Sequence, residues 1–502
     1  MHLELSKGQY IIDSFNINPI FCVKYKNNLD NIHNIFVRSW EDAYSLNKEN
    51  SHKDISLAFL FNFITGNLSS DIAPFNNILR LPRSSIVDIE NNENYKIIKD
   101  LKRNKTLNEN YHSYKKIKDI FSGHLKNLIK DSPNILVEHS SGFDSNIIMA
   151  TLTNNLDYDR KKIFSLTYEE NESKGLLDDL RNSYNLLPCN INNLNREFNP
   201  KQFNKQIKLF GAPPQINHNL REMNLIKDSN CDLLLSGLGG DECLTHEGLN
   251  ALNDLLIELN FKKIYQFHNN FYQSSKFIFK RIFELNIPLY KRLVKFQVVK
   301  QYWRKDLLID YLKPEKKKIL NNYRFKKNIK TKLDRIAESI NNGLTSEYLS
   351  VRVEEETRIA NFFNVKKDFP MLNLDLINYI QSLKPDLFIK TKNQIRTLGR
   401  LAFEDVIPSY FFDYPIKSRL TDNNDINFKK LSKKLINEVI SLLEYNDHFH
   451  KYLLELIDVR NFIDDCKFCI DNQSSYVKNV YAVNISLKKL HMLNNWFFLL
   501  DD

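Results

Sequence analysis

Two short stretches of this 502-residue chain carry the residue types that phosphate and metal chemistry requires. The first, residues 135–146, reads ILVEHSSGFDSN: an apolar run breaks into Ser140, Ser141 and Gly142, and Asp144 and Ser145 follow. Gly142 lets the backbone approach oxygen atoms closely, and the hydroxyls of Ser140, Ser141 and Ser145 can add donors. A helix starting here would present unpaired N–H groups and a partial positive charge to a phosphate. Asp144 repels a bare phosphate, so its position makes sense if Mg2+ bridges the carboxylate and the phosphates. Taken alone, the stretch reads equally well as a tight strand-to-helix turn with a capping serine.

The second stretch, residues 231–244, reads CDLLLSGLGGDECL. Again an apolar run enters a glycine-rich loop, Ser236, Gly237, Leu238, Gly239 and Gly240, and again a carboxylate, Asp241, closes it. Two strands of one parallel sheet would deliver both loops to the same carboxyl edge, where open α/β sheets bind ligands. Asp144 and Asp241 could then hold one metal between them, across the phosphates of a nucleotide. Each loop is ambiguous alone; the pair is not.

The elements that must position these loops are legible as an alternation. The helix-like KKIKDIFSGHLKNLIKD precedes the strand-like NILVEH; then come SNIIMATLTNNL (helix), KKIFSLTYE (strand), GLLDDLRNSYNLL (helix) and CDLLLSG (strand). This order predicts an α/β fold, a parallel sheet covered by helices, with its core at about residues 116–245. Beyond about residue 245 the strand signal fades and helical periodicity runs to the end, without an internal repeat. Ahead of the sheet, QYIID, PIFCVKY and SSIVDIE read as short strands beside one helical segment around residues 55–64, a small α+β region. The lysine- and asparagine-rich NENYKIIKDLKRNKTLNENYHSYKK holds the boundary, giving units of 1–112 and 113–502. The basic, aromatic FKRIFELNIPLYKRLVKFQVVKQYWRKDLL reads as a solvated amphipathic helix pair, with docking of an acidic peptide or a membrane surface as the alternative.

Composition narrows the classes. Hydrophobic residues at 42% and aromatics at 12% are enough for two or three cores and exclude global disorder. The formal charge of +10 suits an anionic substrate, but Lys and Arg are not gathered into one tail, so no nucleic-acid partner is expected. The start, MHLELSKGQY, lacks the pattern of a secretory signal, and ISLAFLFNFITG is too short to span a membrane. Six cysteines are too sparse for a disulfide scaffold, so a cytoplasmic protein with reduced thiols is expected. The lone pair Cys466 and Cys469 reads as ordinary helix cysteines.

With both loops in hand, the sequence resembles a known family. SSGFDS is similar to the S-G-G-x-D-S pyrophosphate loop of the ATP pyrophosphatases, and SGLGGDE to the S-G-E-G-G-D-E loop of their asparagine synthetase branch. RIANFFNVKKDFPMLNLDLINYIQSLKP resembles that branch's R…P-F-L-D…S-L-P helical segment, and KNQIRTLGRLAFEDVIPSYFFDYPIKSRL its K-x-x-L-R…L-P…R-x-K run. The likeness covers about residues 116–425 in order. DISLAFLFNFITGNLSSDIAPFNNILRLPRSSIVDIE is similar to the close of the branch's N-terminal glutaminase domain, here shortened by about half and opening Met1-His2-Leu3 instead of Met-Cys-Gly.

The resemblance implies a synthetase that binds ATP and Mg2+. A substrate carboxylate attacks the α-phosphorus, and an amine attacks the resulting acyl-adenylate, giving an amide, AMP and pyrophosphate. Ser140, Ser141, Gly142, Asp144 and Ser145 would form the pyrophosphate loop, with Ser236, Gly237, Gly239 and Gly240 opposite. Asp144 and Asp241 would bind the metal, Leu166 would lie against adenine, and Lys417 would stabilise negative charge. Arg396 and Arg400 would line the same cleft or serve the helix surface. Leu238 stands where asparagine synthetases carry a glutamate, which argues against aspartate as substrate. With His2 where that domain carries its cysteine, no thiol is expected to release ammonia from glutamine, if Met1 is the native start. The relatives without that nucleophile include β-lactam synthetases and lasso peptide cyclases. The leading expectation is therefore amide formation on a peptide or natural-product carboxylate, as in lasso-type macrocyclisation, with a precursor peptide and a companion maturation protease as partners. Ammonia- or amine-dependent amidation of a small-molecule carboxylate, with nitrogen supplied by a partner, and a non-catalytic scaffold are the alternatives.

Overall fold

The computed structural model describes residues 5, 7–12, 19–26, 32–38, 40–49, 54–65, 72–81, 85–90, 95–99, 114–132, 134–155, 163–167, 174–190, 204–205, 207–208, 211–214, 230–286, 307–322, 334–390, 395–412, 437, 440–441, 449–471 and 477–501. The bridge at residues 100–113, and with it the boundary expected near 112, lies outside them, as does Lys417.

The apolar runs around residues 135 and 233 become strands because both of their faces are covered. Strands β1 (Gly8–Ile12), β2 (Phe21–Lys26), β3 (Ile32–Val37), β4 (Ile78–Arg80), β5 (Ser85–Ile89) and β6 (Tyr95–Lys99) precede β7 (Ile135–Glu138), β8 (Ile163–Thr167), β9 (Leu187–Asn190), β10 (Leu233–Leu235) and β11 (Lys366–Asp368). The last five form one sheet in the order β11-β10-β7-β8-β9, and every pairing in it is parallel. Ile135, Leu136 and Val137, like Leu233, Leu234 and Leu235, are fully buried, the unalternating pattern of a parallel strand covered on both sides. On one side, Ile117, Phe121, Leu125 and Ile129 line one face of the helix Tyr114–Ile129 and join the sheet residues in the largest core. Phe121 meets Phe403 edge-on, ring centroids 5.6 Å apart.

The chain order creates a crevice. From β7 it moves through the helix Phe143–Ala150 to β8 and β9, whereas β10 lies on the opposite flank of β7 and leads towards β11. The order therefore reverses between β7 and β10, the place where an open α/β sheet leaves room for a ligand beyond its carboxyl ends.

Two expectations are corrected. The sheet core is not confined to residues 116–245, because β11 comes from a stretch read as helical. Its three residues, Lys-Lys-Asp, have no apolar alternation, so pairing with β10 makes the strand, not intrinsic propensity. Similarly, YKIIK, read as part of the linker, pairs antiparallel with β5 as β6.

The N-terminal strands form two three-stranded antiparallel sheets, β1-β5-β6 and β3-β2-β4. Beside them Phe21, Trp40, Phe59 and Phe75 share one core with Phe462, Leu490 and Trp496 from the far end of the sequence. Trp496 meets Phe59 and Phe75 edge-on at 5.7 and 6.0 Å and donates its indole N–H to the Gly211 carbonyl at 2.8 Å. The helix Glu347–Phe362 links this region to the parallel sheet. On one side Glu354 accepts from Arg80 of β4 at 2.5 Å and from Arg358. On another, Glu356 pairs with Arg352 at 2.6 Å and with the buried Lys367 of β11 at 2.8 Å. Lys367 also reaches Glu138 at the end of β7, at 2.5 Å. Burial works against ionisation of Glu356, but Lys367 and Arg352 outweigh it and hold the carboxyl down at about 2. Among the described residues no helix is long and apolar enough to cross a membrane.

Candidate functional site

Adjacent pairing of β7 and β10, with Val137 opposite Leu235, brings the two glycine-containing loops side by side. The first leaves β7 through His139, whose N–H donates to the Leu166 carbonyl at 2.8 Å. Its imidazole is buried between Ser165 Oγ, 2.9 Å from Nδ1, and Asn146 Oδ1, 3.2 Å from Nε2. Asn146 spends its amide protons on the carbonyls of Ser140 and Gly142, at 2.9 and 2.7 Å. That leaves its oxygen facing the imidazole, so the ring proton sits on Nε2 and Nδ1 accepts from Ser165.

Ser145 closes the loop on itself. Its Oγ accepts from the Ser140 N–H at 3.1 Å and lies 3.1 and 3.2 Å from the carbonyls of Ser140 and Gly142. Ser140 Oγ accepts from the Gly142 N–H at 3.0 Å. These two hydroxyls, expected to serve a phosphate, here shape the backbone that would receive it. The helix Phe143–Ala150 starts at Gly142 with no side chain capping its first amides, so the alternative of a capping serine does not hold and those amides keep their capacity for an anion. Ser141 is half-buried.

The second loop packs directly onto the first. Gly239 has φ +93°, and a Cβ there would meet Leu372 Cδ2 at 2.3 Å, so both conformation and space require glycine. A Cβ on Gly240 would stand 2.5 Å from Cγ and from Oδ1 of Asp144, and one on Gly237 would stand 3.0 Å from Asp144 Cβ. The Asp144 carboxyl thus lies flat against the glycine loop. Ser236 is buried; its N–H donates to the Asp368 carbonyl at 3.1 Å, and its Oγ faces the Leu238 N–H at 3.4 Å. Leu238 packs against the main core.

Charge is unevenly balanced in this crevice. Burial, and then the charge of Asp241, push the Asp144 carboxyl up to about 7; Glu242 adds to this, while a hydrogen bond from the Thr245 hydroxyl and the charge of Arg396 offset part of it. Asp241 accepts from Arg396 at 2.7 Å. Arg396 adopts the left-handed conformation, φ +60°, at the start of the helix Thr397–Phe403, a costly position for a non-glycine residue. Its neighbour Arg400 lies over the Phe412 ring at 5.1 Å, and its affinity for a proton is reduced by burial and then by Arg396. The Nε atoms of both arginines are buried with no hydrogen-bond partner among the described residues. Two guanidinium groups and two carboxylates therefore meet at one loop edge with polar capacity to spare.

Of the residues expected from sequence, Ser140, Ser141, Gly142, Asp144, Ser145, Ser236, Gly237, Gly239, Gly240 and Asp241 come together at this edge. Arg396 joins them through its ion pair with Asp241, which resolves it as a cleft residue. Leu166 is fully buried within β8, and its carbonyl is taken by His139. Thr245, His139, Asn146 and Asp368 were not foreseen. For Asn146 the only sequence signal is its place one turn into the helix after the loop; Thr245 and Asp368 depend on tertiary packing alone.

The donor set suits a hard cation. Mg2+ is usually held by one or two carboxylates together with substrate phosphates, which a pair such as Asp144 and Asp241 provides. Among the described residues no group of three or more His, Cys, Asp or Glu is gathered as a closed metal cage. Cys466 is buried in the helix Val459–Asp471. No protein-family model matches the chain, and no curated protein matches its sequence.

Proposed function

We propose that this chain is an ATP-dependent carbon–nitrogen ligase with a fold of the ATP-pyrophosphatase type. Its reaction would be adenylation of a peptide or natural-product carboxylate and transfer of the acyl group to an amine, with release of AMP and pyrophosphate. Lasso-type macrocyclisation is the form that fits best. One observation carries this reading: two glycine-containing loops, each with a carboxylate, converge at the point where the sheet order reverses, with Asp144 pressed against Gly240. Such a site can take polyphosphate through backbone amides and a metal through carboxylates at once.

Within this reading Asp144 and Asp241 hold Mg2+, which when bound neutralises the charge that would otherwise keep phosphates away from the carboxylates. With Asp241 engaged by a metal, the Arg396 guanidinium would be free, together with Arg400, to bind an anionic oxygen of the substrates. His139 and Asn146 keep the loop backbone in shape without touching the reacting atoms. Lys417 would supply positive charge where the α-phosphate or the tetrahedral carbon becomes negative.

The test is pyrophosphate release with candidate precursor peptides, followed by the mass of the product. Release by the wild type that is lost in Asp144→Ala, with a product lighter than its substrate by one water, supports macrocyclisation. A product in which a carboxylate has become an amide assigns intermolecular amidation instead. Equal release by wild type and Asp144→Ala removes the catalytic reading of the loop.

A further inference from the structure

Residues 261–306 contain eleven Lys and Arg against two Asp and Glu, a net +9 beside the +10 of the whole chain, so the rest of the sequence is almost neutral. Twelve aromatic residues fall in the same stretch. Its described part, the helices Phe261–His268 and Phe271–Asn286, turns that composition into a surface. The inner side is conventional: Ile264 and Phe267 pack with Leu252, Leu255 and Leu256, and Phe277 and Ile278 close over them. The outer side is not. Tyr272, Lys276, Phe279 and Phe283 are spaced as one helical stripe, and the three rings are 72%, 75% and 64% exposed. Phe271 and Ile282 flank the stripe, and Leu259, Phe261 and Tyr265 add exposed apolar groups just before it. The only acid of the longer helix, Glu284, is turned inward and paired with Arg281 at 2.7 Å and Lys280 at 3.8 Å. The outward charge is therefore of one sign.

Exposed rings of this number, set among cations, mark an interaction surface. We propose that this face docks the protein onto an anionic lipid bilayer, with the rings of Phe279, Phe283 and Tyr272 entering the boundary between headgroups and acyl chains and Lys276 and Lys280 lying among the phosphates. The rings stand out from a helix stripe instead of lining a recess, the form that insertion into a bilayer requires and that capture of an acidic peptide does not provide. The contact is peripheral, as no described helix can cross a membrane. It rests on none of the nucleotide-site geometry.

The experiment is co-sedimentation of the full chain with equimolar phosphatidylglycerol–phosphatidylcholine vesicles and with pure phosphatidylcholine vesicles. The protein is expected to sediment with the anionic vesicles only, and less so as salt is raised. Lys276→Gln with Lys280→Gln should lower partitioning about twenty-fivefold, at roughly fivefold per lysine. Phe279→Ser with Phe283→Ser should lower it at least about tenfold, with the far-UV spectrum unchanged because both rings are already in water. Phe468→Ser, on another helix and 67% exposed, should leave it unaltered. Failure to sediment with anionic vesicles overturns the proposal, as does partitioning that both double variants leave intact. Binding of an acidic peptide or a short RNA that needs Phe279 and Phe283, without vesicle binding, assigns the surface to that partner and overturns it too.

Discussion

Gly240→Ala is expected to damage the molecule in two measurable ways, and Gly142→Ala to do so less in both. At position 240 the new methyl carbon would stand 2.5 Å from both Cγ and Oδ1 of Asp144, about an ångström inside ordinary contact. Neither side can yield easily: Asp144 sits at the start of its helix and is held by the Thr245 hydroxyl. Overpacking of this kind costs ~1–3 kcal/mol. Pushing the carboxyl off Thr245 forfeits a further ~1 kcal/mol. At position 142 the methyl would meet only Ser140 Oγ, at 2.9 Å, and φ is −77°, which any residue adopts. Turning the Ser140 side chain relieves that contact but gives up the hydrogen bond its Oγ accepts from the Gly142 N–H, so the cost should stay at ~1 kcal/mol. Urea unfolding followed by tryptophan fluorescence should therefore separate the two variants by ~2 kcal/mol. Calorimetric titration with MgATP should show at least about a tenfold loss for Gly240→Ala and a smaller one for Gly142→Ala. Equal behaviour of the two variants would refute the inference that close approach to Asp144 is what demands glycine at 240.

Three further outcomes follow from the same contacts. Asp144→Asn keeps the size of the side chain and an acceptor for Thr245 but removes a carboxyl that titrates near 7 in the fold against 3.8 when exposed. The folded pKa is the higher, so wild-type stability falls as pH rises from 3.8 to 7, and the metal-free variant should gain up to ~4 kcal/mol over wild type by pH 8, at ~1.4 kcal/mol per pH unit. Urea midpoints at pH 5 and pH 8 check this, and a gap that does not widen with pH contradicts it. Lys367→Met leaves the half-buried Glu138 without its cation and the buried Glu356 with Arg352 alone, and should cost ~3 kcal/mol in thermal or urea unfolding. Because Glu356 is held down at about 2, its own contribution in the wild type is present above pH 4.5 and is lost as pH falls towards 2. Trp496→Ala, in the core shared by the two ends of the sequence, should cost ~3–5 kcal/mol and expose β2 and β4 to hydrogen exchange together with the C-terminal helix.

The crevice was largely legible before any coordinates, for a physical reason. Buried parallel strands must be uniformly apolar, so ILV at 135–137 and LLL at 233–235 stand out, and the serine–glycine loops after them mark where each strand ends. Strand β11 was not legible, since Lys366, Lys367 and Asp368 owe their conformation to pairing with β10, and Lys367 is buried between Glu138 and Glu356. The clamp of Ser145 on its own loop was hidden because a hydroxyl that shapes backbone and one that binds phosphate look alike in sequence. Arg396 gave no sign of its left-handed conformation, and its pairing with Asp241 brings together residues 155 positions apart. The union of the N-terminal strands with the last helix is likewise a matter of packing at long range, which periodicity cannot report.

The most direct measurement is calorimetric titration of MgATP into wild type, Asp144→Asn and Asp241→Asn. The account expects saturable binding at one site per chain in the wild type, and a loss of about tenfold or more in each variant, because each carboxylate carries part of one metal site. Absence of binding by the wild type, or undiminished binding by either variant, would contradict the claim that the two loops form one nucleotide site.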